Sequence, residues 1–331
     1  MANIAVLGAG SWGTALALQL ARNAHNITLW AHRREHAAAL GEARENRRYL
    51  PGIPLPPNLT VSDDLAASVA AAELILAVVP SRAFAGLLQD LKPHLRDGTP
   101  LMWAIKGFEA GSGRLLTDVF RDALGEHPHA ILAGPSFAKE VAAGLPTAVT
   151  IAATDDTLAQ TIAQHFHGSN FLCYTSHDLT GVQIGGAVKN VIAIATGIAD
   201  GLGCGANARA ALITRGLREI TRLATALGAE EETLTGLAGM GDLVLTCTDD
   251  QSRNRRFGLA LGRGDSAEAA KAAIGQTVEG EGATHDTYAL AQQHGIRMPI
   301  TEHLHQMLAG NSSLEDTFTS LLNRQIKQER H

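Results

Sequence analysis

Asn3-Ile4-Ala5-Val6-Leu7-Gly8-Ala9-Gly10-Ser11-Trp12-Gly13-Thr14-Ala15-Leu16-Ala17-Leu18-Gln19-Leu20 is the stretch whose reading decides the fold. Ile4 to Leu7 is apolar, too short for a helix, and closed at once by glycine. Thr14 to Leu20 is rich in strong helix formers. Strand, glycine turn, helix is the context that turns a loose G-x-G-x-x-G pattern into a dinucleotide site. Gly8 permits the tight turn, Gly10 lets the backbone approach a pyrophosphate, and Gly13 lets the helix pack close on the strand. The unpaired N–H groups at the start of the helix then face the phosphate charge.

Working outward, Ile27 to Trp30 reads as the second strand. An NAD-preferring site would carry Asp or Glu about 20 residues past the glycines, on the ribose 2′-hydroxyl. Here the chain has Ala31-His32-Arg33-Arg34, with the first acid at Glu35. A guanidinium grips a 2′-phosphate that a carboxylate would repel, so Arg33 favours NADP(H), with NAD(H) accepted as well. A solvated helix start is the competing reading. Pro51, Pro54, Pro56 and Pro57 predict an extended surface loop, preceded by a solvated helical face bearing Arg44, Arg47 and Arg48. Ser62, Asp63 and Asp64 predict a helix start.

Glu73 to Val79 predicts a buried parallel strand stopped by Pro80, followed by a helix over Phe84 to Leu91 and a strand over Leu101 to Ile105. Lys106-Gly107 lies where that strand ends, the place at which open α/β sheets bind ligands. The pair suits an anionic substrate or an ordinary surface. Ala130 to Ala133 is the next strand, and Gly134-Pro135-Ser136-Phe137-Ala138 is expected to open a helix with Pro135 in its first turn. Pro146 to Ala153, a helix from Asp155, and Phe171 to Thr175 complete a doubly wound sheet.

From Asp178 the pattern turns to long helical periodicity, with Val188, Val191, Ile192, Ala195, Ile198 and Ala199 as a core stripe. Lys189 leans back over Gly185 and Gly186, a patch of bare backbone that admits either a ligand or a packed helix. Asp242 and Thr246 share a helical face. Ser252-Arg253-Asn254-Arg255-Arg256 suits a phosphate or a solvated loop. Gly275 to Gly280 reads as a polar loop, and the helices beyond it as scaffold.

The chain has 331 residues, enough for two domains, placed at 1–177 and 178–331, of which 45% are hydrophobic and 18% charged. A net charge of −6 argues against a nucleic-acid or anionic-membrane surface. Cys173, Cys204 and Cys247 form no C-x-x-C, which fits a reducing cytosol. No signal-peptide pattern or uninterrupted membrane span is found, the longest apolar stretch being broken by Lys189 and Asn190. His165/His167 and His303/His305 have a spacing that points them apart, and with no H-E-x-x-H a metal is not expected. The oligomeric state is left open, with a homodimer considered.

Taken together, G-A-G-S-W-G-T-A (Gly8 to Ala15), K-G (Lys106-Gly107), G-P-S-F-A (Gly134 to Ala138), G-G-A-V-K-N (Gly185 to Asn190), G-D-L-V-L-T-C (Gly241 to Cys247), S-R-N-R (Ser252 to Arg255) and V-E-G (Val278 to Gly280) resemble the bacterial-type NAD(P)-dependent glycerol-3-phosphate dehydrogenases. The resemblance covers nearly the whole chain and implies a Rossmann domain joined to a helical domain like that of 6-phosphogluconate dehydrogenase. It implies reduction of dihydroxyacetone phosphate to sn-glycerol 3-phosphate for phospholipid synthesis. It further implies Lys189 as proton donor and acceptor, with Lys106, Gly134, Ser136, Asp242, Ser252, Arg253 and Asn254 at the substrate. Ser11, Trp12, Arg33, Lys106, Ala138, Arg253 and Glu279 are implied at the cofactor. The rivals are a β-hydroxyacid or 6-phosphogluconate-type dehydrogenase, which expects a substrate carboxylate, and a nicotinamide-nucleotide sensor, which needs neither Lys189 nor Arg253.

Overall fold

The computed structural model describes residues 1–314; the helical reading of the final residues lies outside that range. β1 (Asn3–Leu7) leads through the glycine turn into α1 (Ser11–Arg22), then β2 (Asn26–Trp30) and α2 (Arg34–Ala43). A two-stranded ribbon, β3 (Glu45–Asn46) and β4 (Leu50–Pro54), precedes β5 (Leu59–Ser62) and α3 (Leu65–Val69). β6 (Leu74–Ala77), α4 (Phe84–Leu91), β7 (Leu101–Trp103), α5 (Leu116–Leu124), β8 (His129–Ala133) and α6 (Ala138–Ala143) follow. β9 (Thr147–Ala153), α7 (Asp156–Phe166) and β10 (Phe171–Ser176) end the sheet half.

The sheet runs β10-β9-β8-β7-β6-β1-β2-β5. From β5 to β8 this is the doubly wound order 3-2-1-4-5-6, with the ribbon set aside. The strand order switches from one side of β1 to the other between β1 and its parallel neighbour β6, so the crevice of the fold opens at their carboxyl ends. β8 and β9 pair antiparallel, which makes the sheet mixed where uniform alternation suggested a simple continuation. Helices cover both faces, and strands such as β6 and β8 are buried at every residue.

Several local expectations are corrected. The Pro51/Pro54 segment is strand β4, pairing antiparallel with β3. A two-stranded ribbon leaves one edge unpaired, so proline is tolerated there. Arg44 is not on a helical face: it ends α2 with φ 51°, and its guanidinium donates to the carbonyls of Leu55, Pro56 and Leu59. Ser62 closes a strand, and the N-cap of α3 is Asp64, which accepts from Ala67 N at 2.9 Å. Pro135 lies outside the helix, which begins at Ala138, because Gly134 (φ 134°) turns the chain into a loop first. Glu279 opens a helix where a loop was expected.

The helical half is built on α8 (Leu179–Gly201), capped by Asp178. Around it lie α9 (Gly205–Ala226), α10 (Glu231–Thr235), a π turn over Leu237–Gly241, α11 (Asp242–Thr248), α12 (Arg253–Gly262), α13 (Ala267–Ile274), α14 (Glu279–Gln293) and α15 (Pro299–Leu308). By length and hydropathy α8 could cross a membrane, yet all of its most apolar window is buried inside the protein, as the core helix of a bundle would be. Its expected one-sided stripe is therefore a helix buried all round. α12 packs tightly along it: a Cβ on Gly258 would lie 2.1 Å from Ile194 O, and one on Gly197 2.2 Å from Arg255 O.

Candidate active site

The glycine turn has the form the sequence implies. Gly8 sits at φ 124°, where a Cβ would fall 2.3 Å from the Val78 carbonyl at the end of β6. A Cβ on Gly13 would strike Gly8 O at 1.8 Å, which forces close packing of α1 on the turn. Gly10 faces open space, with nothing within 4 Å of a built Cβ. α1 begins with neither a side-chain cap nor an acidic residue in its first turn. Its first N–H groups and positive dipole end are thus left for an external anion. Trp12 Nε1 is buried without a partner among the described residues. A bare backbone cradle, an uncapped helix start and a buried unpaired donor fit the pyrophosphate and adjoining groups of a nicotinamide dinucleotide.

Arg33 is exposed at the start of α2 and lines a cavity of about 660 Å³ with Arg47 and Arg48, whose wall also carries Glu35, Glu42 and Glu45. This cavity lies along α2, the helix that follows β2, and the β3 end of the ribbon.

Across the crevice, three charged groups meet. Lys189 on α8 is 5% exposed, and its ammonium bonds to Asp242 Oδ1 and to Thr246 Oγ1, the latter at 2.9 Å. Lys106, just past β7, donates to the other oxygen of the same carboxylate at 2.8 Å and to Gly134 O at 3.0 Å. Its Nζ lies 3.4 Å from Ser136 Oγ and 6.0 Å from the centre of the Trp12 ring. Asp242 is 1% exposed. Two ammonium groups share one carboxylate, so the buried cluster is net positive and suited to an oxygen that gains negative charge. Burial pulls Lys189 down to about 7 from its ordinary value; Asp242 opposes the fall and Lys106 adds to it. Of the three N–H donors of Lys189, Asp242 and Thr246 engage two, which leaves one.

The bare backbone beneath Lys189 divides between the two readings. A Cβ on Gly185 would meet Ala238 O at 2.5 Å, so this glycine serves helix packing. Gly186 instead faces the Lys106 side chain and Ala133, inside the site.

The phosphate-type cluster is split as well. Arg253 is half-buried at the first position of α12, and no hydrogen bond or ion pair engages its guanidinium among the described residues. Ser252 caps α12, accepting from Arg255 N at 3.2 Å. Asn254 ties three helices: Nδ2 donates to Asn190 Oδ1 at 2.8 Å, and Oδ1 accepts from Gly280 N at 2.9 Å. That amide seats Arg253 and the Glu279 end of α14 against the residue after Lys189. Arg255 turns away to Asp200 and Asp250. Ala138 stands at the start of α6, packed with Trp12 against the sheet core. Sequence reading gave Thr246 no role beyond sharing the face of Asp242, and it gave His36, Asn46 and Asn190 none. Their contacts are long-range, and no local pattern announces them.

A dinucleotide turn on one side of a crevice and a buried lysine–carboxylate cluster on the other define the class of dinucleotide-dependent dehydrogenases. Family profiles described as the N-terminus and C-terminus of NAD-dependent glycerol-3-phosphate dehydrogenase match residues 3–159 and 178–319. The chain is 53% identical, over 98% of its length and 98% of the relative, to the glycerol-3-phosphate dehydrogenase [NAD(P)+] of Pseudoalteromonas translucida. It is 52% identical over its whole length, and 98% of the relative, to the protein of the same name from Serratia proteamaculans. A crystal structure of glycerol-3-phosphate dehydrogenase from Coxiella burnetii superposes with a TM-score of 0.95 at 48% identity, covering 98% of this chain and 99% of that one. The chain belongs to the NAD-dependent glycerol-3-phosphate dehydrogenase family.

Proposed function

We propose that this chain reduces dihydroxyacetone phosphate to sn-glycerol 3-phosphate, reversibly, and so supplies the glycerol phosphate backbone of phospholipids. A bound reduced nicotinamide supplies the hydride. Lys189 stands where the carbonyl oxygen gains charge; its free N–H bonds that oxygen and passes it a proton. In the reverse direction the neutral amine takes the proton back. Asp242 and Thr246 hold the amine in place, and Lys106 adds positive charge and, with Ser136 and the Gly134 turn, a wall for the substrate. Arg253 anchors the phosphate, so that binding energy remote from the reacting carbon fixes its position. Ser252 and Asn254 support this anchor from behind.

Ser11, Trp12, Ala138 and Glu279 line the cofactor side in this reading. Arg33, with Arg47 and Arg48 beside it, supports a preference for NADPH over NADH. The sheet half, 1–177, is the cofactor domain and the helical half, 178–331, the substrate domain. Three free cysteines support a reducing, cytosolic location. Edge strand β10, with Leu172 and Tyr174 exposed, supports a homodimer, which sedimentation of the purified protein tests.

The observation that carries the proposal is the single carboxylate of Asp242 held between Lys189 and Lys106 at the strand ends. The test is to mix purified protein with dihydroxyacetone phosphate and NADPH or NADH and follow nicotinamide absorbance. Rapid loss is expected; no loss, with turnover of a β-hydroxyacid or 6-phosphogluconate instead, overturns the assignment.

A further inference from the structure

The glycine turn is held from behind as well as by the strand that leads into it. The carbonyl oxygen of Ala9, a residue 6% exposed, accepts two hydrogen bonds from distant parts of the chain. One comes from Asn46 Nδ2 on β3 at 3.1 Å, the other from His36 Nε2 on α2 at 3.0 Å. A carbonyl only accepts, so Nε2 is the protonated nitrogen of that ring. Asn46 is 1% exposed and its amide is engaged at both ends: Nδ2 also donates to Thr14 Oγ1 at 2.8 Å, and Oδ1 accepts from Tyr49 N at 3.2 Å. The His36 ring meets Tyr49 edge-on at 5.3 Å.

A planar trans peptide sends its C=O and its N–H in opposite directions. Anchoring the Ala9 oxygen against α2 and the ribbon therefore turns the Gly10 N–H the other way. It also keeps the negative end of that peptide dipole out of the path of an incoming pyrophosphate. If the anchor is lost, the peptide is free to rotate, and a carbonyl oxygen facing phosphate repels it.

We infer that His36 and Asn46, which also border the neighbouring cavity, are positioning residues for the dinucleotide, acting through the hydrogen bonds they hold to the Ala9–Gly10 peptide. The inference rests on the cofactor reading given above. Pyrophosphate is common to NADPH and NADH, so the two residues govern affinity for both cofactors alike, whereas the arginines of the neighbouring cavity govern the choice between them.

The test uses the full chain and the fluorescence of bound NADPH and of bound NADH, with His36→Leu, His36→Gln, Asn46→Ala and Asn46→Asp. Loss of one of the two hydrogen bonds that hold the Ala9 carbonyl predicts Kd raised about tenfold for both cofactors in His36→Leu and Asn46→Ala. Asn46→Asp, which sets a carboxylate against the carbonyl, is expected to be worse. His36→Gln, which keeps a donor, should restore most of the affinity. At saturating cofactor, KM for dihydroxyacetone phosphate should stay within about twofold, which separates positioning of the turn from general loosening. Wild-type Kd values in His36→Leu and Asn46→Ala overturn the inference. So does weakening confined to NADPH, or a substrate KM that rises in step with the cofactor Kd. Should Asn46→Ala not fold, His36→Leu, on a partly exposed helix, carries the test alone. A wild-type protein that binds NADPH yet leaves dihydroxyacetone phosphate unreduced sinks the proposed function and leaves the inference standing; one that binds neither nucleotide sinks both.

Discussion

Lys106 and Lys189 hold the two oxygens of one buried carboxylate, that of Asp242, from opposite halves of the chain. Lys106 follows the strand β7, and Lys189 lies within the longest helix. The Lys106 ammonium raises the cost of keeping Lys189 charged, and the carboxylate between them opposes it. The two lysines and the carboxylate therefore act as one electrostatic unit.

Turnover should depend on pH with opposite slopes in the two directions. Lys189, pulled down to about 7, must be protonated to donate and neutral to accept. Reduction should therefore fall as pH rises through about 7, and oxidation should rise through the same range. Profiles of kcat against pH in both directions check this, and Lys189→Met should abolish the limb in each along with nearly all turnover.

Asp242→Asn leaves two ammonium groups facing each other without a countercharge. Breaking a buried pair from one side costs about 3–5 kcal/mol, so the urea midpoint should fall markedly. The pH limb for reduction should also move to lower pH, because the group that raises the Lys189 value is gone. A midpoint and a limb equal to wild type would refute the unit.

Arg253→Ala should chiefly raise KM for the phosphorylated substrate. The guanidinium has no protein partner to lose among the described residues, so stability should hardly change. Charge-assisted hydrogen bonds of about 1.5–3 kcal/mol correspond to a rise of roughly ten- to a hundredfold. Steady-state kinetics with dihydroxyacetone phosphate and with dihydroxyacetone separate the two terms: the difference between these substrates should shrink in the variant.

Gly13→Ala and Gly10→Ala should fail in different ways. An added methyl at Gly13 collides with Gly8 O at 1.8 Å, so the turn must open and both stability and cofactor binding should drop. At Gly10 the methyl meets no protein atom, and the backbone (φ −78°) already suits alanine. That variant should melt with wild type yet bind NADPH poorly, because the methyl occupies the approach of the pyrophosphate. Thermal melts with and without NADPH distinguish them.

Stability should decline in mild acid. Burial lowers His25, His129 and His165 below their ordinary value of 6.5. The unfolded chain then binds more protons than the folded one as pH drops below about 6.5, so stability is kept above that pH and lost progressively below it. Urea midpoints at pH 8 and pH 5.5 measure the loss, and replacing His129, 4% exposed among Trp103 and Phe120, should lessen it if packing is kept.

Much of the architecture was legible in the chain because its determinants are local. The apolar runs of β1, β6 and β8, the glycine turn and the helix from Phe84 to Leu91 each follow from a few neighbouring residues. Where the reading missed, a distant partner decided the matter. The prolines of β4 predict a loop because nothing nearby shows Glu45 and Asn46 pairing with their segment. The motif of Ser252 and Asn254 implies ligand contacts but does not show that their side chains also cap α12 and join it to Asn190 and Gly280.

The sequence by itself determined the strand–turn–helix opening, the doubly wound half, the change to helices at Asp178, and the residue types at the site. Tertiary structure alone decided that Asp242 meets both Lys106, 136 positions away, and Lys189, 53 positions away. It also decided how acidic Lys189 is and that Asn46 braces Ala9. The reason is range: backbone conformation answers to adjacent residues, whereas desolvation and the field at an ammonium answer to whatever the fold brings within a few ångströms.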